Sequence, residues 1–141
     1  MRAAELQSLG WKQHALPGFV GTAGPLWTRQ EEGGWAYGLL VQPQHLNPAG
    51  LAHGGALMTL MDHALSTLAW QACGRVACLT LQLDTHFLGA ARAGELVEVR
   101  GQLTHRTRGL LFLQGRASQG EEPVMQAQAI MKVVAAAPAQ A

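Results

Sequence analysis

The run from Asn47 to Trp70, NPAGLAHGGALMTLMDHALSTLAW, leaves the chain the fewest options. It delivers His53, Gly54 and Gly55 to the start of one long apolar segment. Leu57, Leu60, Met61, Ala64, Leu65 and Leu68 recur there at spacings of three and four, the period of a helix with one apolar face. A helix of about 18 residues would be roughly 27 Å long, enough to lie along a whole sheet. Gly74 suits a cap just past its end. Inside this segment, nine residues beyond His53, stands a single carboxylate, Asp62. Burying an acid there costs desolvation energy unless something satisfies or uses it.

On either side the period changes. Ala3 to Leu9 has the pattern of a short amphipathic helix, and Leu16 to Gly24, with Pro17 and three glycines, reads as loop. Strands are expected near Leu26–Gln30 and Trp35–Val41, joined by the turn Glu31-Glu32-Gly33-Gly34. Pro43 to Gly50 is irregular. After the helix, Cys78–Leu88, Leu96–Thr104, Leu110–Ala117 and Val124–Val134 alternate and are separated by short turns, which argues for an antiparallel sheet. The expectation is α+β: five to six antiparallel strands wrapped around one long central helix, in a single domain over residues 1–141. Residues 1–24 would form an amino-terminal helix and loop, and residues 135–141 a frayed tail.

Charge narrows the function classes. Ten Lys and Arg against nine Asp and Glu give a net charge of +1, so no positive field gathers nucleic acid. Only 13% of residues are charged while 48% are hydrophobic, a balance that leaves an apolar surface and points to subunit association, as a dimer or a dimer of dimers. The first residues, MRAAELQSLGWK, contain no apolar core of a signal peptide, and the long apolar segment is interrupted by polar residues. No membrane association and a cytoplasmic location are therefore expected. Cys73 and Cys78 form no CxxC pattern and read as ordinary buried thiols in a reducing compartment. His14, His45, His86 and His105 lack metal-ligand spacing, so no metal is expected, and neither GxSxG, a P-loop nor GxGxxG is present.

The pattern Asn47-Pro-Ala-Gly50, His53-Gly54-Gly55, Asp62, Thr80 and Asp84-Thr85-His86-Phe87-Leu88-Gly89-Ala90 resembles the hotdog-fold acyl-CoA thioesterases of the phenylacetic-acid-degradation type, with their 4-hydroxybenzoyl-CoA thioesterase relatives. The resemblance runs from about Leu26 to Val134. It implies a hydrolase that converts an acyl-CoA and water to a free acid and CoA, with no cofactor beyond the CoA of the substrate. By the same resemblance Asp62 would attack the thioester or activate water, and the Gly54 N–H would polarise the carbonyl. Asn47 and His53 would bracket that carbonyl, and Thr80 would supply a hydroxyl that orients the water.

Helix geometry adds one inference of its own. Nine residues separate His53 from Asp62, about 13 Å along a helix, and at 100° per residue the two point to opposite faces. One chain cannot easily bring both to one carbonyl. Neighbouring antiparallel helices in a two-fold dimer can, so the spacing predicts two sites per dimer, each built from both subunits. A helix amino terminus also offers unpaired N–H groups and a favourable dipole to the charge that develops on a thioester oxygen.

Other assignments stay open at this level. Asp62 could be a structural acid, His53 could simply cap the helix, and Gly55 could serve helix packing rather than substrate. Trp35, Tyr37, Leu57, Met58 and Met61 are candidates for an apolar acyl pocket. Arg106 and Arg108 in the turn HRTRG, with Arg92 and Arg116 behind them, are candidates for the CoA phosphates. Two other functions fit a protein of this shape: a hydratase or dehydratase acting on acyl thioesters, and a non-catalytic acyl-CoA-binding protein.

Overall fold

The apolar stripe of the central segment becomes α3, Gly54–Ala72. Its start is fixed by local chemistry. Asn47 Oδ1 accepts the N–H groups of Ala49 and Leu51 at 2.9 and 3.1 Å, which curls the preceding loop through Gly50 at φ +79°. His53 then caps the helix, its Nδ1 accepting the Gly55 N–H at 2.8 Å. At the far end Gly74 and Arg75, at φ +70° and +68°, turn the chain back in the left-handed region. Arg106 Nη1 donates to the Ala72 carbonyl at 2.9 Å, satisfying one of the orphan acceptors of the last turn.

The computed structural model describes residues 1–134, so the expectation of a frayed tail over 135–141 lies outside the described residues. Around α3 the other elements are α1 (Ala3–Ser8), β1 (Lys12–His14), α2 (Gly18–Ala23), β2 (Leu26–Glu31), β3 (Gly34–Leu40), β4 (Cys78–Phe87), β5 (Leu96–Arg106), β6 (Leu110–Gln119) and β7 (Glu122–Val133). The strands form one antiparallel sheet in the order β1-β2-β3-β5-β6-β7-β4. It has seven strands, one more than the alternation predicts. The extra one is β1, three residues long and too short to show a period. The segment Leu16–Gly24, expected to be loop, contains the six-residue helix α2. Its residue Val20 packs against the core, and tertiary contact overrides two helix-breaking glycines.

The concave face of the sheet closes on α3 through Leu57, Leu60, Met61, Ala64, Leu65 and Ala69. Contact is closest where Gly101 of β5 pairs with Gly115 of β6. A Cβ at Gly115 would lie 2.7 Å from Met61 Sδ, and one at Gly101 would lie 2.7 Å from Leu65 Cδ2. Two bare backbone positions side by side thus let the helix sink into the sheet. The opposite face of β2, β3 and β5 carries a second apolar cluster, Trp27, Ala36, Leu40 and Leu96, roofed by Leu6 of α1 and by Trp11.

One edge of the sheet is the short β1. The other is β4, ten residues long, with β7 on one side and no strand on the other among the described residues. Leu79, Leu81 and Phe87 on this strand are 55%, 53% and 50% exposed. A long apolar edge with unpaired backbone groups is a template for another strand.

Candidate active site

Asp62 projects from the middle of α3 toward β4, where its Oδ1 accepts the Thr80 hydroxyl at 2.8 Å. Both side chains are half-buried. The β4 ladder slips between Thr80 and Gln82, so Leu81 is an extra, bulged residue and Thr80 is turned toward the helix. Oδ2 of Asp62 has no protein partner among the described residues. The carboxylate is thus held by one oxygen and open at the other, as an attacking group or a water-activating base requires.

At the amino-terminal end of α3 the donors divide. The Gly55 N–H is engaged by its own cap, His53, while the N–H groups of Ala56 and Leu57 reach the His53 carbonyl at 2.9 and 3.2 Å. The Gly54 N–H has no protein acceptor among the described residues. A Cβ on Gly54 would lie 3.4 Å from the ring of Phe87, the half-exposed last residue of β4. The acid and the free donor therefore both lie beside β4, at opposite ends of it. Eight residues of helix separate them, about 12 Å along the axis.

The loop that presents this helix end is pinned by a residue the sequence did not mark. His45 is 3% exposed; its Nδ1 accepts the Gln42 N–H at 3.0 Å, so Nε2 carries the proton and donates to the Ala23 carbonyl. The His53 N–H in turn donates to the His45 carbonyl at 2.7 Å. His45 ties α2 to the capping loop. Its spacing offers no signal, because its partners are main-chain atoms 3 and 21–22 residues away.

The other sequence candidates are scattered. Met61 is 0% exposed and belongs to the core against Gly115, and Leu57 is buried with it. Met58 is half-buried and packs on the same core, while Gly55 is exposed. Arg106 caps α3 and Arg108 is exposed in the β5–β6 turn. Arg92 is paired with Glu95 and Glu122 at 3.6 and 3.5 Å. Of the five apolar-pocket candidates, Trp35 and Tyr37 line a cavity of about 510 Å³ on the flank of α3; Leu57, Met58 and Met61 do not. Met58 and Met61 face the sheet because the helix stripe that looks like a pocket in sequence is the stripe that makes the core. Cys73 and Cys78 are free thiols, half-buried rather than buried, with their sulfurs 3.9 Å apart. Burial, and then the bond with Cys73, push the Cys78 thiol up to about 11. No cluster of His, Cys, Asp and Glu able to hold a metal occurs among the described residues, and no helix there is long and apolar enough to cross a membrane.

A family model described as the thioesterase superfamily matches residues 49–126, more than half of the chain. The chain belongs to the thioesterase superfamily. This superfamily member is 30% identical over 109 residues to a Pseudomonas aeruginosa protein named "Putative esterase PA0474", covering 76% of this chain and 81% of that one. Among solved structures it is similar to a Streptococcus pneumoniae protein named a hypothetical thioesterase, crystallised with coenzyme A. That match has 28% identity and a TM-score of 0.65, over 71% of this chain and 77% of that one. The Streptococcus protein was also crystallised with one aspartate, and separately one threonine, replaced by alanine. A Ralstonia eutropha phenylacetic acid degradation-related protein matches at 25% identity and a TM-score of 0.64, over 94% of this chain and 92% of that one. The sheet wrapped on α3 is the hotdog arrangement that the sequence resemblance implied.

Proposed function

We propose that the protein is an acyl-CoA thioesterase and that Asp62 is its base or nucleophile. The observation that carries this is the pairing of a carboxylate held by Thr80 with an uncommitted Gly54 N–H on the same open sheet edge. Ionised Asp62 takes a proton from water, or attacks the thioester carbon directly, while Thr80 fixes the carboxylate and leaves its second oxygen to react. The Gly54 N–H, at the positive end of α3, stabilises the oxygen on which charge develops. Removing one such donor costs about 3–4 kcal/mol in comparable sites. His53 orients that helix end by capping it, and Asn47 shapes the loop in front. The Streptococcus protein named a thioesterase supports the acyl-CoA reading through its bound CoA.

The site is completed by a second copy. If β4 pairs antiparallel with β4 of a second copy about a two-fold axis near Leu83 and Asp84, Thr80 of one copy falls level with Phe87 of the other. Asp62 of the first then approaches Gly54 of the second. The same pairing covers Leu79, Leu81 and Phe87. Arg106 and Arg108 are the proposed contacts of the CoA phosphates; Arg108 is the cleaner probe, since Arg106 also caps α3.

The deciding experiment is thiol release from a panel of acyl-CoAs. Free CoA must appear with at least one ester, at a rate abolished by Asp62→Asn. Loss of enoyl absorbance without thiol would identify a hydratase instead, and binding without either a non-catalytic acyl-CoA-binding protein.

A further inference from the structure

Cys73 and Cys78 are the only cysteines of the chain, and the fold brings them together where α3 hands over to β4. Cys73 is the carboxy-terminal cap of α3, and Cys78 is the first residue of β4. Asp62 stands on that helix, and Thr80 on that strand, two residues beyond Cys78. Both cysteines are half-buried and free, and Cys78 Sγ lies 3.9 Å from Cys73 Sγ. The bend between them, with Gly74 and Arg75 both at positive φ, turns the chain back so that the two side chains meet. Burial, and then the contact with Cys73, push the Cys78 thiol up to about 11. It stays protonated at neutral pH, which makes it the resolving thiol of the pair.

A disulfide holds its sulfurs about 2.05 Å apart, so closure would draw these two together by about 1.9 Å. The helix end is the firmer side. The Cys73 N–H donates to the Ala69 carbonyl at 3.0 Å, Ala69 is buried in the core, and Arg106 holds the Ala72 carbonyl. The strand end yields more readily. Cys78 pairs with Val133 of β7 on one side and has no strand on the other among the described residues. The ladder then slips after Thr80, which separates Cys78, Leu79 and Thr80 from the rest of β4. A shift of Cys78 is therefore carried to Thr80 and absorbed at the bulge.

We propose that Cys73 and Cys78 form a reversible disulfide whose closure draws Thr80 off Asp62 and slows hydrolysis. In a reducing compartment such a bond is transient and senses the redox state. The oxidant is a small disulfide of the glutathione class. Cys73, as a thiolate, attacks one of its sulfurs, expels one thiolate and leaves a mixed disulfide. Cys78 then attacks the Cys73 sulfur of that bond and expels the second thiolate. Both cysteine protons end on the two departing thiols. The protein loses two electrons and two protons, and one small disulfide becomes two thiols. A dithiol reductant reverses the exchange. The effect on turnover rests on the thioesterase reading; the bond itself does not.

The test treats the full chain with oxidised glutathione, then reads intact mass, free thiols and CoA release from acyl-CoAs. Wild type should become lighter by two hydrogens, lose both thiols without cross-linking to a second chain, and regain them in dithiothreitol. Its kcat should fall by about tenfold on oxidation, the size of a lost hydrogen bond to a charged group, and recover on reduction. Thr80→Val has no such bond to lose, so oxidation should close its disulfide and leave its kcat nearly unchanged. Cys73→Ala and Cys78→Ala should each keep the kcat of reduced wild type and ignore the oxidant. A stable glutathione adduct on wild type, or thiols that survive saturating oxidant, would overturn the disulfide. Oxidised wild type as fast as reduced, or an equal slowing of wild type and Thr80→Val, would overturn the coupling to Thr80. If the reduced protein cleaves no ester yet loses and regains the two hydrogens, the disulfide stands and the hydrolase reading falls.

Discussion

In the proposed mechanism Asp62 and Thr80 carry different shares of one job, and substitution separates them. Asp62→Asn keeps an oxygen that can accept the Thr80 hydroxyl at the observed 2.8 Å but removes the negative charge. Turnover should fall by about 10²–10⁴ with little change in Tm. Thr80→Val keeps the shape of the side chain and deletes only the donor. A hydrogen bond to a charged group is worth about 1.5–3 kcal/mol, so kcat should drop by roughly 10- to 100-fold, and Thr80→Ser should recover most of it. Stopped assays on the three variants check the order; a Thr80→Val enzyme as fast as wild type would mean that the bond positions nothing. The pairing was half legible in sequence. Asp62 announces itself as a lone acid in an apolar helix, whereas Thr80 has no local mark. Only the bulge at Leu81 turns its hydroxyl to the acid, and a bulge depends on the partner strand rather than on the residues that form it.

At the scale of elements, α3 and the six longer strands follow from the spacing of their apolar residues. What the period could not show is how closely the helix sits. Gly101 and Gly115 are 14 residues apart in sequence and become neighbours only through the β5–β6 register. Gly115→Ala should therefore force Met61 aside, and Gly101→Ala should force Leu65 aside while its new Cβ also approaches the Gln114 carbonyl to 3.2 Å. Each is expected to lower stability by about 1–3 kcal/mol, as overpacked cores do, measured by chemical denaturation. Leu65 touches both positions, so the double variant should depart from the sum of the singles. Activity should suffer too, since Met61 precedes Asp62 and any lifting of the helix moves the acid away from Thr80. The cavity beside α3 was hidden for the same reason: its walls come from β1, β2, β3, α3 and the start of β4, and no window of sequence contains them all.

For the whole molecule, the question is whether the acid and the oxyanion donor that meet one thioester come from one chain or two. Within a chain they stand about 12 Å apart along α3. In the proposed pairing across β4 a second copy would bring them together, and the apolar residues exposed on that edge favour such a contact. Two inactive variants decide the matter. Asp62→Asn lacks the acid, while Gly54→Val blocks access to the free N–H, its Cβ lying in ordinary contact with the Phe87 ring at 3.4 Å. Unfolded together and refolded in equal amounts, half of the dimers are hybrids. In each hybrid one site carries both lesions and the other carries neither, so the mixture should recover about a quarter of wild-type activity. Sites built within single chains would give none, because every chain holds one lesion. A charge placed at Leu81 on the open edge supplies the control: Leu81→Lys in both variants should keep the chains monomeric in sedimentation and abolish the recovery.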